Sequence, residues 1–119
     1  MKLNFITIMV RDMAKSLIFY GELAGLKIVN HMDMEKGKIV FVANSREETM
    51  LELIEFKDQE KVQAKGMVMS YLVKEPLEEI REKAIKLGYL PSAIIEQGQK
   101  PKHFTVEDPD GIAVEFMEQ

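Results

Sequence analysis

The sequence predicts an α+β fold made of two copies of one unit, in which a strand and a helix are followed by three strands. The first observation is an internal repeat. Residues 63 positions apart match without a gap, and Glu52 in the first half matches Glu115 in the second. The second is the alternation of apolar and other side chains along most of the predicted strands. The third is an amphipathic helix pattern in each half, which supplies an apolar face to cover a sheet.

The repeat extends over both halves of the chain. Further matches at the same spacing are Val10 with Val73, Asp12 with Glu75, Leu17 with Ile80, Gly25 with Gly88, and Phe41 with Phe104. Stacked repeat arrays need at least three units, so a two-copy repeat favours a pseudo-symmetric pair that encloses something between its halves. We expect a single domain over residues 1–119, with module 1 at 1–56, a polar linker at 57–65 and module 2 at 66–119.

The elements of module 1 follow from its apolar periodicity and its turn residues. Asp12 is a good N-cap for a helix over residues 13–24, and Gly25 is placed to end it. Strands are predicted at 3–10, 26–34, 38–43 and 49–56.

Module 2 repeats this order with weaker strands. Pro76 is expected at the start of its helix, where a missing N–H costs nothing, and Gly88 ends that helix. The turn Asp108-Pro109-Asp110-Gly111 feeds the closing strand, since proline and glycine supply the backbone angles of a tight turn. The other strands are predicted at 67–73, 92–95 and 102–106.

Composition excludes several classes of function. The net charge of −4 and the absence of a basic run argue against a nucleic-acid partner. Without cysteine there is no disulfide, thiolate metal site or cysteine nucleophile. Arg11 and Asp12 interrupt the first apolar stretch after a strand's length, too short for a membrane span or a secretory core. We therefore expect no membrane partner and a cytoplasmic location.

The strand alternation divides the side chains between two faces. One set is strongly apolar and is expected to pack on the helices: Ile6, Ile8, Val10, Leu51, Leu53, Ile112, Val114 and Phe116. The opposite set mixes apolar side chains with two hydroxyls and two carboxylates, which suits the wall of a ligand cavity better than a core or a bare surface. The ligand-binding candidates on it are Phe5, Thr7, Met9, Met50, Glu52, Val68, Ser70, Glu115 and Met117. Tyr71 is expected on the helix side.

The chain resembles the glyoxalase / bleomycin resistance protein / extradiol dioxygenase group, the vicinal oxygen chelate superfamily. The resemblance rests on Val10-Arg11-Asp12 with Ser16, Phe19 and Tyr20, on Gly25-Leu26, and on Asp108-Pro109-Asp110-Gly111 with Glu115. It implies two βαβββ modules that form a U-shaped, incompletely closed barrel of mixed β-sheet, with the helices packed outside. It also implies a small-molecule site inside the barrel and frequent homodimers.

The same resemblance implies where a divalent ion would be held in metal-binding members. Those four positions fall at Phe5, Glu52, Val68 and Glu115 in this sequence. The two glutamates match, but Phe and Val cannot ligate a metal, and two carboxylates alone are a poor site for Zn, Ni or Fe. We expect no bound metal and no other cofactor.

Three functions follow from these residues, in order of preference. The first is a metal-independent small-molecule-binding protein of the glyoxalase/bleomycin-resistance type, with its ligand expected in the cavity between the two modules. A cationic or amine-rich molecule is a candidate ligand. The second is a glyoxalase-like lyase, isomerase or thiol transferase that recruits a loosely held divalent ion through Glu52 and Glu115 as catalytic candidates. The third is a structural or regulatory dimer with a filled interior.

Each candidate residue also has an ordinary structural explanation. The two glutamates are a functional pair, one with a raised pKa that would make it an acid if they are close and shielded. Alternatively, they are an inherited pair that is hydrated or bonded to Thr7, Ser70 or a basic side chain. Thr7 and Ser70 are more often satisfied strand hydroxyls than ligand contacts. The methionines either adapt a pocket wall or fill a core. His103 is a proton donor or, more often for a lone histidine near a turn, a surface or hydrogen-bonded residue.

Overall fold

The computed structural model describes all 119 residues and divides into two compact units, 1–62 and 63–119. The division falls inside the predicted linker. Unit 1 contains β1 (Phe5–Met9), α1 (Met13–Leu17), a π-helix (Ile18–Leu23), β2 (Lys27–Met34), β3 (Gly37–Ala43) and β4 (Met50–Phe56). Unit 2 contains β5 (Val68–Val73), α2 (Leu77–Lys86), β6 (His103–Glu107) and β7 (Ala113–Glu118).

Each unit has a mixed sheet with the same central arrangement. In unit 1 the strand order is β1-β4-β3-β2, with β1 parallel to β4 and the other pairs antiparallel. In unit 2 the order is β5-β7-β6, with β5 parallel to β7. The predicted α+β class and the order strand, helix and strands in each half are thereby confirmed.

The helix of unit 1 begins at the predicted cap. Asp12 has an extended backbone, and its carboxylate accepts a hydrogen bond from Lys15 N at 3.0 Å. The carboxylate of Glu55 accepts a second one from Met13 N at 3.1 Å, so two free N–H groups of the first turn are satisfied. The predicted single helix is divided, because α1 continues as the π-helix before Gly25 ends it with φ of 74°.

The helix of unit 2 starts one residue later than predicted, since Pro76 is its N-cap and not its first helical residue. Glu78 and Glu79 lie in its first turn and Lys83 and Lys86 in its last, which complements the helix dipole. Gly88 follows its end with φ of 94°. The predicted strand at 92–95 is reduced to one bridge between Ile95 and His103, so this sheet has three strands and not four.

The predicted helix-facing side chains form the cores of the two units. In unit 1, Ile8, Val10, Leu51 and Leu53 are buried, and α1 contacts β4. In unit 2, Ile112, Val114 and Phe116 are buried, and α2 contacts β6 and β7.

Aromatic packing completes the core of unit 2. The ring of Phe116 lies 5.4 Å from that of Phe104 and 6.0 Å from that of Tyr71, on which it stacks. Burial, with a smaller effect of the Asp108 charge, raises the pKa of Tyr71 to about 12. The predicted place of Tyr71 on the helix side is confirmed.

One match of the sequence repeat is wrong in three dimensions. Phe41 lies opposite Glu52 and therefore on the side away from the helix, whereas Phe104 lies opposite Phe116 and is fully buried. Residues directly opposite each other in a sheet share a face, and a shift of one residue moves a side chain to the other face. The structural equivalent of Phe41 is Thr105, which lies opposite Glu115.

The closing strand is held in place by the predicted turn. Asp108 Oδ1 accepts hydrogen bonds from Asp110 N at 2.8 Å and Ile112 N at 2.9 Å, while Gly111 takes φ of 86°. These bonds add to two backbone hydrogen bonds of the turn, from Gly111 N to Asp108 O and from Asp108 N to Ile112 O, and together they fix where β7 begins. The position of Glu115 along β7 follows from that start.

Candidate functional site

The face of the unit 1 sheet that points away from its helix is here called face 1. One row across it runs through Thr7, Glu52, Phe41 and Asn30, and the next row runs through Met9, Ile54, Ile39 and Met32. Five predicted ligand-binding residues belong to this sheet: Phe5, Thr7, Met9, Met50 and Glu52. Face 1 therefore surrounds one carboxylate with aliphatic, thioether and aromatic side chains.

Glu52 is partly exposed at the centre of face 1. Its Oε1 accepts a hydrogen bond of 2.6 Å from the hydroxyl of Thr7, which lies directly opposite on β1. The prediction that Thr7 is a satisfied hydroxyl is confirmed. Glu52 forms no ion pair, so its negative charge is balanced by no lysine, arginine or histidine of the chain.

Two aromatic rings lie beside this carboxylate. Phe41 is directly opposite Glu52, and the ring of Phe5 meets that of Phe41 edge-on at 5.3 Å with an interplanar angle of 84°. Phe5 is 37% exposed, so part of its ring remains open to solvent. A carboxylate and the π-faces of aromatic rings both attract cations.

The corresponding surface of unit 2, here called face 2, is more polar. Its central row runs through Ser70, Glu115 and Thr105, and the next row through Leu72, Met117 and His103. The remaining predicted residues Val68, Ser70, Glu115 and Met117 belong to this sheet. Val68 and Leu72 are well exposed, whereas Glu115 is buried.

Glu115 has a hydroxyl donor equivalent to the one at Glu52 and, in addition, an ammonium donor. Ser70 Oγ donates to its Oε2 at 2.6 Å, and Lys100 Nζ donates to its Oε1 at 2.5 Å. Burial alone would raise the pKa of Glu115, but the hydrogen bonds from Lys100 and Ser70 outweigh it, with smaller effects of the Lys100 and His103 charges. Its pKa therefore lies below the ordinary value, and the expectation of a raised pKa is wrong for this glutamate.

His103 is a buried member of the same cluster. Its Nδ1 lies 2.8 Å from the carbonyl oxygen of Pro101, which can only accept, so Nδ1 carries a proton. Nε2 then points toward Glu115 Oε1 at 3.8 Å. Of the two interpretations offered for this histidine, the hydrogen-bonded one is confirmed, although the side chain is buried and not at the surface.

The comparison with protein families assigns the chain. A model of the Glyoxalase/Bleomycin resistance protein/Dioxygenase superfamily matches residues 2–116. The chain belongs to this superfamily. The resemblance inferred from the motifs of the sequence is thereby confirmed.

Solved structures of superfamily members share the fold over nearly the whole chain. TnmS3, an antibiotic binding protein from Streptomyces sp. CB03234, is 17% identical with a TM-score of 0.75, covering 99% of this chain and 95% of that one. The trypanothione-dependent glyoxalase I of Leishmania major is 22% identical with a TM-score of 0.79, covering 99% and 86%. A glyoxalase family protein from Enterococcus faecalis is 18% identical with a TM-score of 0.74, covering 98% and 97%.

Two further results are negative. The comparison with curated proteins finds no match. None of the helices is both long enough and apolar enough to cross a membrane.

The residues at the superfamily's metal positions do not fit a divalent ion. Phe5 and Val68 offer only carbon atoms, and no group of three His, Cys, Asp or Glu side chains is placed to hold a metal. Glu115 is in addition engaged by the ammonium of Lys100. First-row metals of this kind need several nitrogen, sulfur or oxygen donors converging on one point. The residues at these positions therefore do not support a metal-dependent step.

Sequence reasoning missed the residues that β2, β3, β6 and one loop add to the two faces. Asn30, Met32, Ile39 and Phe41 belong to face 1, and Lys100 and Thr105 lie beside Glu115. His103, which the sequence offered as a candidate proton donor, lies beside Glu115 as well. Alternation along β3, anchored on a correct register, would have identified Ile39 and Phe41. Lys100 precedes β6 in a segment without regular structure, and no periodic pattern marks such a residue.

Proposed function

We propose that this protein binds a small molecule without a metal, and that the ligand carries a positive charge that it places on face 1. The observation that carries the proposal is Glu52, an unpaired carboxylate whose only hydrogen bond comes from Thr7. This carboxylate lies beside the partly exposed ring of Phe5, so a ligand could find a charge and an apolar contact side by side.

The surroundings of Glu52 match the needs of an organic cation. Phe5 and Phe41 offer aromatic rings next to the carboxylate, and Met9 and Met32 offer thioethers that adapt to irregular shapes. A cation over an aromatic ring gains about 0.5–2 kcal/mol, and a hydrogen bond to a charged group about 1.5–3 kcal/mol. Together they favour an amine over a neutral molecule of equal size.

The superfamily supports binding as the activity. One structural relative, TnmS3, is an antibiotic binding protein, and the chain covers nearly all of it. Another relative is a glyoxalase I, but the residues at the metal positions here do not support metal-dependent chemistry. We therefore favour binding over catalysis.

The proposal is tested with two probes of similar size, 4-phenylbutylammonium and 4-phenylbutanol. Thermal unfolding and calorimetry should show that the amine binds at least about tenfold more tightly than the alcohol. Glu52→Gln should abolish this preference, because it removes the charge and keeps the shape.

Glu55→Gln is the matched control. Glu55 lies on the same strand but contacts Met13 N near the helix, so this variant makes the same change of charge away from face 1. It should keep the preference for the amine. If the amine and the alcohol bind equally, or if Glu52→Gln keeps the preference, the proposal fails.

A further inference from the structure

Lys100 gives Glu115 a positively charged partner that Glu52 does not have. Glu52 and Glu115 occupy equivalent places, each opposite a hydroxyl residue on a parallel strand. Each accepts a hydrogen bond of 2.6 Å from that residue. Only Glu115 also has an ammonium group, at 2.5 Å.

We propose that Lys100 is a specificity-determining residue whose ammonium fills a second cation site at Glu115, so that Glu52 alone is open to a charged ligand. This inference rests on the proposed function, since it concerns the charge that the same protein accepts. It predicts that the native protein takes one positive charge, and that removal of Lys100 opens a site for a second one.

The geometry around Glu115 supports a buried cation site that the ammonium of Lys100 occupies, and not an ordinary ion pair at the surface. The Glu115 side chain is 5% exposed, whereas that of Lys100 is 57% exposed and enters from a segment without regular structure. A buried carboxylate that loses its counter-charge is costly, so it must find another cation or a proton. The side chain of Lys100 is in effect a tethered n-butylammonium ion.

The neighbouring groups determine which cations fit. His103 already commits its Nδ1 proton to Pro101, and its Nε2 faces Glu115 at 3.8 Å. Ser70 holds the other carboxylate oxygen, and the exposed side chains of Val68 and Leu72 lie on the same face. A primary alkylammonium therefore finds a charge, a hydrogen-bond acceptor and apolar contacts at this position.

The test is chemical rescue of Lys100→Ala by n-butylammonium chloride, with n-butanol as the neutral control and sodium chloride to hold the ionic strength. All variants carry Glu52→Gln, which removes the cation site of face 1. The pH is held at about 8.5, where an alkylammonium keeps its charge, since the ordinary pKa of a lysine amine is about 10.4. Melting temperature and calorimetry report binding.

The expected result is that Lys100→Ala melts below its Glu52→Gln parent and recovers at least half of the loss with n-butylammonium, but none with n-butanol. The added variant Glu115→Gln should abolish the recovery. Lys100→Arg, which keeps a cation there, should show no rescue. Lys102→Ala is the matched control, because Lys102 pairs with Glu78 and Glu96 and not with Glu115.

Two outcomes overturn the inference. One is that n-butylammonium neither binds Lys100→Ala nor raises its melting temperature. The other is that rescue occurs equally in Lys102→Ala or survives Glu115→Gln. Since Glu52 is absent from every variant, failure here leaves the proposed function standing, and failure of the Glu52 experiment leaves this test valid. If Lys100→Ala folds poorly, Lys100→Ser can replace it, because serine also removes the ammonium group from the site at Glu115.

Discussion

Ser70 Oγ lies 2.6 Å from Glu115 Oε2, the distance that also separates Thr7 Oγ1 from Glu52 Oε1. The two pairs come from opposite halves of the chain, yet each joins the first strand of a unit to its last. The hydroxyl fixes the orientation of the carboxylate in both. The two carboxylates nevertheless differ in their surroundings, because Glu115 is buried and ion-paired while Glu52 is partly exposed and unpaired.

Glu115 makes stability depend on pH. Its pKa in the folded protein is below the ordinary value of 4.5, which approximates that of the unfolded chain. Ionised Glu115 therefore stabilises the fold above about pH 4.5, and this contribution is lost as the pH falls through the folded-state pKa. Glu115→Gln should cost roughly 1–3 kcal/mol at pH 7 and less at about pH 3.5, measured by urea unfolding at both values.

Glu118→Gln is the control for this experiment. Glu118 lies on the same strand but is exposed, so its substitution should change the free energy of unfolding by less than about 0.5 kcal/mol at either pH. A cost of Glu115→Gln that is equal at the neutral and the acidic pH would contradict the assignment of an ionised, stabilising carboxylate.

Gly25 and Gly21 offer a second matched pair. Gly25 ends the helical segment with φ of 74°, where alanine has room but the wrong backbone preference, so Gly25→Ala should cost about 1–2 kcal/mol. Gly21 lies inside the π-helix without a positive φ, and an added Cβ would sit 3.9 Å from Leu26 O. Gly21→Ala should stabilise by about 0.5–1 kcal/mol, measured by urea unfolding. Equal effects of the two substitutions would contradict the different backbone requirements.

The periodic pattern of apolar residues predicted the faces of the strands correctly, but it gives no information about residues in loops. It placed Glu52 and Glu115 on the same side as Thr7 and Ser70, because alternation along four strands fixes a face. It did not detect Lys100, whose position depends on the course of a loop.

In unit 2, proline and glycine residues limited the prediction of strands from the sequence. The predicted strand at 92–95 lies in a region with Pro91, Gly98 and Pro101, and the structure shows only one bridge there. Proline lacks the N–H that a sheet ladder needs, and glycine weakens a strand. The ungapped repeat also matched β3 to β6 one residue out of register, because a comparison without gaps cannot represent a one-residue difference in loop length.

That shift gives the third prediction, which compares Phe104 with Phe41. Phe104 is fully buried against Phe116, so Phe104→Ala should cost about 3–5 kcal/mol through lost burial and a cavity. Phe41 is only partly buried on face 1 and contacts Phe5, so Phe41→Ala should cost only about 1 kcal/mol. Urea unfolding of the two single variants measures both values. Equal losses would mean that the two rings occupy equivalent environments, as the ungapped repeat requires, and would contradict the strand register on which face 1 is built.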